Sequence, residues 1–286
     1  IYESSVAPKP TGKLDGFVFA KLTALDIQPV LCSDAVFVRR VYLDVIGTLP
    51  TAEEAKRFID DPDTKGKRSA LIDRLMDREE FADFWSMNWG DALRIKAEFP
   101  FNLWPNAAQA YHRWVRASIV ENKPYDEFAR ELLTSSGSNF RVGPVNFYRA
   151  VQNRTPAGIA NAVALTLMGS RMDAWPEGTR QGFSAFFAQI GYKPTREWKE
   201  QVVFWDPLGT STLATDDKEE EDDSEVDEKT TLPAATSPPP RNAVFPDGTK
   251  MILPEEMDPR EVFADWLITP ENPWFTRAIA NRVWYW

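Results

Sequence analysis

Three charged residues near the start of the chain are spaced so that they could act together. Arg40 and Asp44 are four residues apart and share a face if the segment is helical, and Arg39 lies beside that face. Neighbouring guanidinium groups suit an anionic ligand, because each donates parallel hydrogen bonds to a carboxylate or phosphate. The same spacing suits an internal ion pair that holds the helix against the next turn, and the pattern favours this second interpretation.

A second group combines aromatic and charged side chains, namely Trp85, Trp89, Asp91 and Arg94. Indole rings stack on sugar rings, and two carboxyl groups on opposite sides of a glycosidic bond can hydrolyse it. However, no second carboxyl group can be paired with Asp91 from the sequence. Trp85 and Trp89 are four residues apart and are more simply explained as facing a protein core.

The chain has one Cys, Cys32, and one His, His112. They cannot form an intrachain disulfide or a four-ligand zinc site. A catalytic Cys/His pair is arithmetically allowed, but a small buried thiol and a structural His are favoured. The sequence has no phosphate-binding loop, dinucleotide Gly motif, His-Glu-x-x-His sequence or nucleophile elbow, so we expect no catalytic residue, cofactor or metal ion.

The negative charge is concentrated in one segment. The formal net charge is −10, and Asp216 to Glu228 contributes −9 of it through ten acids and one Lys, which leaves −1 for the rest. A basic nucleic-acid-binding surface is therefore not indicated. The acidic run lacks the spacing of a calcium loop, so solubility is its favoured role, with contact to a basic partner as the alternative.

Hydrophobic spacing predicts that the first 190 residues are mostly helical and that the candidate residues lie on helices. Ser33 is predicted to cap a helix that Gly47 ends, and Thr51 to Glu54 form a capping box. Thr155 and Pro156 begin a helix rich in small residues, which permit close helix–helix approach. A last helix is predicted over Glu177–Ile190.

The pattern changes after residue 195. Gln201–Trp205 is a predicted strand, and two short apolar runs flank Asp247-Gly248, a hairpin turn signal. Residues 208–240 are predicted to be a solvated acidic and Pro-rich loop. The predicted fold is mainly α, a multi-helix domain (1–195) followed by a small β-hairpin region with a long acidic insertion (196–257) and the first helices of a second, truncated domain (258–286).

Several motifs resemble a known family, domain of unknown function 1549, which is planctomycete and cytochrome-associated. The motifs are Arg39-Arg40-Val41-Tyr42-Leu43-Asp44-Val45-Ile46-Gly47-Thr48-Leu49-Pro50-Thr51, the Trp85 to Arg94 segment, Asn122-Lys123-Pro124-Tyr125-Asp126-Glu127-Phe128, Ser184-Ala185-Phe186-Phe187, and Asn272-Pro273-Trp274-Phe275-Thr276-Arg277 with the residues up to Trp284. The resemblance covers about residues 14–190 and 258–286, and the last stretch resembles the start of the usual partner domain.

The resemblance implies an extracytoplasmic protein, and many members carry a Cys-x-x-Cys-His segment that attaches a c-type haem. This chain departs from that pattern, because Leu167-Met168-Gly169 runs almost directly into the residues up to Trp175 and no Cys lies there. Covalent haem attachment at this place is therefore chemically excluded. Met168 and Met172 are explained better as core residues than as iron ligands.

The sequence thus predicts a non-catalytic structural or scaffolding component of an extracytoplasmic, cytochrome-associated assembly, without its own haem. Two alternatives stay open, namely a polysaccharide-binding or carboxylate-dependent glycan-degrading protein, and an electron-transfer subunit with non-covalent haem. No transmembrane segment is expected. The chain stops within a predicted helix, so a protein partner or a missing C-terminal domain is expected to pack on Trp274, Phe275, Trp284 and Trp286.

Overall fold

The computed structural model describes residues 8–98, 103–209 and 239–286. It confirms the predicted fold class, because the described chain is mainly helical with small antiparallel sheets. Its contacts divide it into two compact units, residues 1–85 and 86–286, which are described separately below. The acidic run 216–228 lies outside the described residues, as does most of the predicted loop 208–240.

The first unit is built from short helices. They are α1 (Lys13–Ala24), α2 (Asp34–Ile46), α3 (Ala52–Ile59), α4 (Lys67–Met76) and the first half of α5 (Glu79–Ala92). The predicted caps are confirmed: the Ser33 hydroxyl accepts a hydrogen bond from the Val36 amide, and Thr51 and Glu54 form the capping box. Gly47 ends α2 in the left-handed conformation that favours glycine.

Helices α2, α3 and α4 share one small core in this unit, with Val38, Ile46, Phe58, Leu71 and Leu75 almost fully buried. Helix α1 is different. It contains no buried residue, and its apolar side chains Leu14 and Phe17 are 66% and 76% exposed.

A buried ammonium group joins α4 to α2 and α3. The Lys67 Nζ atom lies 2.7 Å from Asp34 Oδ2 and donates hydrogen bonds to the carbonyls of Phe58 and Asp61, at 3.2 and 3.1 Å. Arg68 donates to the other Asp34 oxygen at 2.8 Å. The hydrogen bonds from Lys67, followed by those from Arg68, lower the pKa of Asp34.

The second unit holds the rest of α5 and the remaining elements. Its helices are α6 (Trp104–Val120), α7 (Tyr125–Thr134), α8 (Asn146–Arg149), α9 (Pro156–Met168), α10 (Glu177–Ser184), α11 (Pro259–Leu267) and α12 (Pro273–Tyr285), and its strands are β1 (Gly137–Ser138), β2 (Ile190–Pro194), β3 (Gln201–Trp205), β4 (Asn242–Val244) and β5 (Lys250–Ile252). The hydroxyl of Thr155 caps α9, and Asp258 and Asn272 cap α11 and α12 with their side-chain oxygens.

The strands form two small antiparallel sheets. One has the order β1–β3–β2, with Tyr192 opposite Val203, and the other is the predicted β4–β5 hairpin. The helix predicted over Glu177–Ile190 is wrong at its end, because α10 stops at Ser184 and a 3₁₀ turn leads into β2 at Ile190. The spacing of the buried rings of Phe183, Phe186 and Phe187 is compatible with an α-helix and with a 3₁₀ turn. It therefore does not show where the α-helix ends.

One large core fills the second unit. It includes the buried rings of Phe183, Phe186 and Phe187 from the end of α10, together with Phe245 after β4 and Phe263 of α11. The three-part domain division stays a prediction, and in this unit side chains from all three of its parts share the core. No helix among the described residues is long and apolar enough to span a membrane.

Helix α10 lies against β4 so closely that one glycine is required. A Cβ atom on Gly182 would lie 2.8 Å from the Val244 backbone nitrogen and closer still to its side chain, whereas Gly178 in the same helix has no atom within 4 Å of that position. We expect Gly182→Ala to lower the free energy of unfolding by about 1–3 kcal/mol. Gly178→Ala should be neutral or stabilising by up to about 1 kcal/mol. Urea denaturation of the two variants measures the difference, and equal stabilities would contradict this packing.

The Asp34 network predicts an acid-sensitive first unit. Asp34→Asn removes the counter-charge of Lys67, and we expect a loss of about 1–2 kcal/mol, limited because Asp34 is partly exposed. Since the folded-state pKa of Asp34 is lowered, its stabilisation is present above the unfolded pKa of about 4 and is lost as the pH falls through the folded value. Asp60→Asn, in the exposed Lys56–Asp60 pair, should cost less than about 0.5 kcal/mol. Denaturation at pH 7 and pH 3 tests this, and an equal loss in both variants would contradict it.

Candidate functional site

The charged residues of α2 that are candidates for anion binding lie on the solvent-exposed face of this helix. Arg39, Arg40 and Asp44 are all exposed. Within the described residues, no ion pair joins either arginine to Asp44 or to another carboxylate. The anion-anchor role and the structural role of this group both stay predictions.

The aromatic candidates fall into different compact units. Trp85 lies in the first unit, is half-buried and donates its indole N–H to the Val45 carbonyl at 3.1 Å. Trp89 lies in the second unit, and Asp91, two residues further, is exposed. Each tryptophan is half-buried and contacts protein groups, and the sugar-stacking role of both stays a prediction.

Trp89 is part of an aromatic cluster that connects α5, α7 and α12. Its ring centre lies 5.2 Å from that of Phe128, 5.9 Å from Tyr125 and 5.3 Å from Trp286. Tyr125 stacks in turn on Phe275 at 4.8 Å. Burial raises the pKa of Tyr125 to about 12. Trp89 therefore packs against three rings in the second unit, and its role in binding stays a prediction.

Arg94 lies near a second arginine, Arg282, which was not a candidate in the sequence analysis. The Arg94 Nη1 atom donates to the Thr166 hydroxyl at 3.4 Å, and Arg282 Nη2 donates to the Thr166 carbonyl at 2.9 Å. The Arg282 guanidinium also lies over the rings of Trp89 and Trp286, at 5.8 and 5.9 Å from their centres. Arg94 itself has a left-handed backbone with φ of 60°.

A buried phenol completes this cluster. Tyr111 is fully buried, and its hydroxyl has no hydrogen-bond partner among the described residues. Arg94 is close enough to act on the pKa of Tyr111, in the direction opposite to burial. Burial raises the pKa of Tyr111 well above its usual value. Burial is the largest influence on Arg94 and lowers its pKa, and the nearby charge of Arg282 lowers it further, whereas Tyr111 acts in the opposite direction. We call Arg94, Tyr111, Thr166 and Arg282 the two-arginine site.

The two-arginine site consists mainly of hydrogen-bond donors. Arginine offers five N–H groups and no acceptor, so two arginines and a phenol can position and neutralise a negative charge. The sequence found Arg94 through its place beside Trp89. Arg282, Tyr111 and Thr166 carried no local signal, because they come from three other helices.

His112 has a neighbour that no motif predicted. Its Nε2 atom lies 3.2 Å from the hydroxyl of the buried Ser86, within the second unit. A shallow depression of about 330 Å³ next to it is lined by Ile95, Ala108, Gln109, His112 and Arg113. Ser86 does not line this depression, so the pair does not present a nucleophile there. Cys32, by contrast, lies in the first unit and is half-buried.

The methionines near the shortened segment are core residues. Met168 and Met172 are nearly fully buried within the hydrophobic core of the second unit. Among the described residues, no group of three or more His, Cys, Asp or Glu side chains is arranged to hold a metal ion.

The aromatic residues of α12 differ in exposure. Phe275 is buried and Trp274 is half-buried against the core, so the chain itself already packs these two. Trp284 is 70% exposed, and its neighbours Val283 and Tyr285 are exposed as well. Another exposed ring is Trp198, before β3, which packs edge-on against Trp104 with ring centres 4.7 Å apart.

Comparison with known proteins identifies the family. The family model described as PSCyt2, protein of unknown function (DUF1549), matches residues 13–177, more than half of the chain. The chain therefore belongs to this family, and the predicted resemblance is confirmed. No curated protein and no solved structure matches the chain significantly.

The aromatic cluster predicts a large difference between two tryptophans. Trp89→Ala removes contacts with three rings, and we expect a loss of about 2–4 kcal/mol in the free energy of unfolding. Trp198→Ala, at a ring that is 68% exposed, should cost less than about 1 kcal/mol. Chemical denaturation followed by circular dichroism measures both. If Trp89→Ala were the milder change, Trp89 would not be a packing residue.

Proposed function

We propose that the protein is a non-catalytic structural component of an extracytoplasmic protein assembly that includes a cytochrome, and that it carries no haem of its own. The observation that carries this proposal is helix α1. It lies inside the region that matches the family, yet it contains no buried residue. The association with a cytochrome and the extracytoplasmic place come from the family resemblance described above.

The exposure of α1 has a physical cost that a partner would remove. A twelve-residue helix is marginally stable in water by itself, because helix nucleation is unfavourable. Apolar side chains of α1 and the segment after it are exposed on the first unit, namely Leu14, Phe17, Leu25, Ile27 and Leu31. Clusters of exposed apolar residues of this kind are typical of protein contact surfaces.

The charges of α1 favour a protein over a lipid surface as the occupant. Helices that lie on anionic membranes are rich in Lys and Arg on their polar face. Lys13 and Lys21 in α1 are opposed by Asp15 within the helix and by Asp26 just after it. This balance supports another protein chain as the partner. The exposed Trp284 on α12 is a second apolar surface that supports an assembly role.

The absence of a covalent haem follows from composition. Attachment of a c-type haem through a Cys-x-x-Cys-His segment needs two thiols, and the sequence contains only Cys32. Any c-type haem of the assembly would therefore belong to another chain or to another part of the protein.

Disrupting the surface of α1 tests the proposal. We expect Phe17→Ser to weaken association with the partner by about tenfold or more, because burial of a Phe side chain contributes about 1.5–3 kcal/mol. Lys21→Ser, on the same helix, should associate like the wild type. The measurement is the mass of the native complex in cell-envelope extracts of the native host. Native gels give the mass, and cross-linking with mass spectrometry identifies the partner.

Three results would contradict the proposal. They are a wild-type protein that migrates alone in native extracts, a Phe17→Ser variant that assembles normally, and a purified chain that forms only copies of itself by light scattering. A Soret absorption band is expected in the isolated complex and not in the purified chain. A band in the purified chain would instead support the electron-transfer alternative.

A further inference from the structure

We propose that Arg94, Arg282 and the Tyr111 hydroxyl form a binding site for a small ligand that carries an oxyanion, either a carboxylate or a phosphate group. This inference goes beyond the structural role proposed above and does not depend on it. It rests on the hydrogen-bond donors and the charges of the two-arginine site.

Hydrogen-bond donors outnumber acceptors in this site. Within the described residues, Arg94 and Arg282 each donate one hydrogen bond, and both bonds go to Thr166. In the part of the chain that the structure describes, the buried Tyr111 hydroxyl near Arg94 has no hydrogen-bond partner. A buried polar group without a partner costs about 1–3 kcal/mol, so such a group in a native protein calls for an acceptor. An oxyanion has up to three oxygens, and these accept hydrogen bonds from guanidinium and phenol groups such as those of Arg94, Arg282 and Tyr111.

The charges lead to the same conclusion. Both guanidinium groups donate a hydrogen bond to Thr166, and no ion pair to either is present among the described residues. Two like charges that are partly withdrawn from water repel each other, and an anion between them would remove both the repulsion and the desolvation cost.

Another buried arginine in the same unit shows the usual arrangement. Arg260 is 1% exposed and forms an ion pair with Asp258 at 2.6 Å. Its remaining N–H groups donate to the Ser135 carbonyl and the Ser136 hydroxyl, each at 3.0 Å. The fold thus provides a carboxylate and two further acceptors for a structural arginine. In residues 8–98, 103–209 and 239–286 it provides neither a carboxylate nor a comparable set of acceptors for Arg94 and Arg282.

A purely structural role explains only part of the site. Thr166 lies in the last turn of α9, where carbonyl groups have no helical partner, so Arg282 satisfies one of them. This accounts for one N–H group of Arg282. It does not account for Tyr111. The left-handed backbone of Arg94, by contrast, is part of the α5 C-cap, because the Ile95 amide donates to the Gly90 carbonyl at 2.8 Å.

The site is held in place from several directions. Arg94 follows α5, Tyr111 belongs to α6, Thr166 to α9 and Arg282 to α12. The rings of Trp89 and Trp286 support the Arg282 guanidinium from the side. Donors fixed in this way lose little freedom when a ligand binds, which favours affinity for a small anion.

Binding is tested with defined anions at constant ionic strength. Inorganic phosphate and glucuronate are titrated separately into the purified full chain, with chloride and glucose as controls, and calorimetry and the melting temperature are recorded. We expect one of the two anions to bind and to raise the melting temperature by about 3–5 °C at tenfold its Kd. Phosphate binding alone would identify a phosphate ligand, and glucuronate binding alone a carboxylate ligand.

Variants separate a ligand site from a structural one. Arg94→Met and Arg282→Met should weaken binding by at least tenfold, and Tyr111→Phe by about threefold or more. In chloride, Arg94→Met and Tyr111→Phe should melt at or above the wild-type temperature, because each removes an unneutralised charge or an unpaired hydroxyl. Arg282→Met also loses the hydrogen bond to the Thr166 carbonyl and should melt slightly lower. Arg277→Met, at an exposed position of α12, should bind like the wild type.

Several outcomes would overturn the proposal. One is the absence of binding by both anions at constant ionic strength. Another is binding that is unchanged in Arg94→Met, Arg282→Met or Tyr111→Phe. A third is a melting temperature in chloride that falls by several degrees in all three variants, which would show that the cluster is structural and already satisfied.

Discussion

The second unit depends on the packing of phenyl rings from distant parts of the sequence. The Phe263 ring centre lies 5.1 Å from that of Phe183 and 5.6 Å from those of Phe186 and Phe187, and all four rings are fully buried. Because each ring removes a large apolar area from water, the contact holds α10 and α11 together much more strongly than any local hydrogen bond. The end of the α10 segment and the residues after 258 therefore cannot be separated without exposing this core.

Local signals in the sequence were sufficient for several helix starts. Ser33, Thr51 and Thr155 all accept hydrogen bonds at helix N-termini, as their residue types and positions predicted. A cap is made within a few residues, so it can be predicted without knowledge of the fold. The change from α10 to β2 near Ile190 could not be predicted in this way, because it depends on pairing with β3, more than ten residues further along the chain.

The partners of the candidate site residues could be predicted from the sequence even less well than the end of α10. Trp89 and Arg94 stood out because aromatic and charged residues alternate in one short segment, but the segment alone does not show what they contact. The partner residues Arg282 and Thr166 come from α12 and α9, and only the folded chain brings them together. Arg39 and Arg40, by contrast, formed the group for which the sequence offered either an anion anchor or an internal ion pair, and they are exposed without an ion pair among the described residues.

The position of Arg282 is set by how closely α12 approaches α9. Gly169 ends α9 with φ of 60°, and a Cβ atom there would lie 3.6 Å from the Cβ of Ala278 on α12. Small residues at this crossing let the two helices approach, as the composition of α9 predicted, and one turn further α12 places the Arg282 guanidinium on the Thr166 carbonyl. A larger side chain at Ala278 would move the helix and with it the arginine. The geometry of the two-arginine site is therefore a consequence of backbone packing as well as of the polar groups themselves.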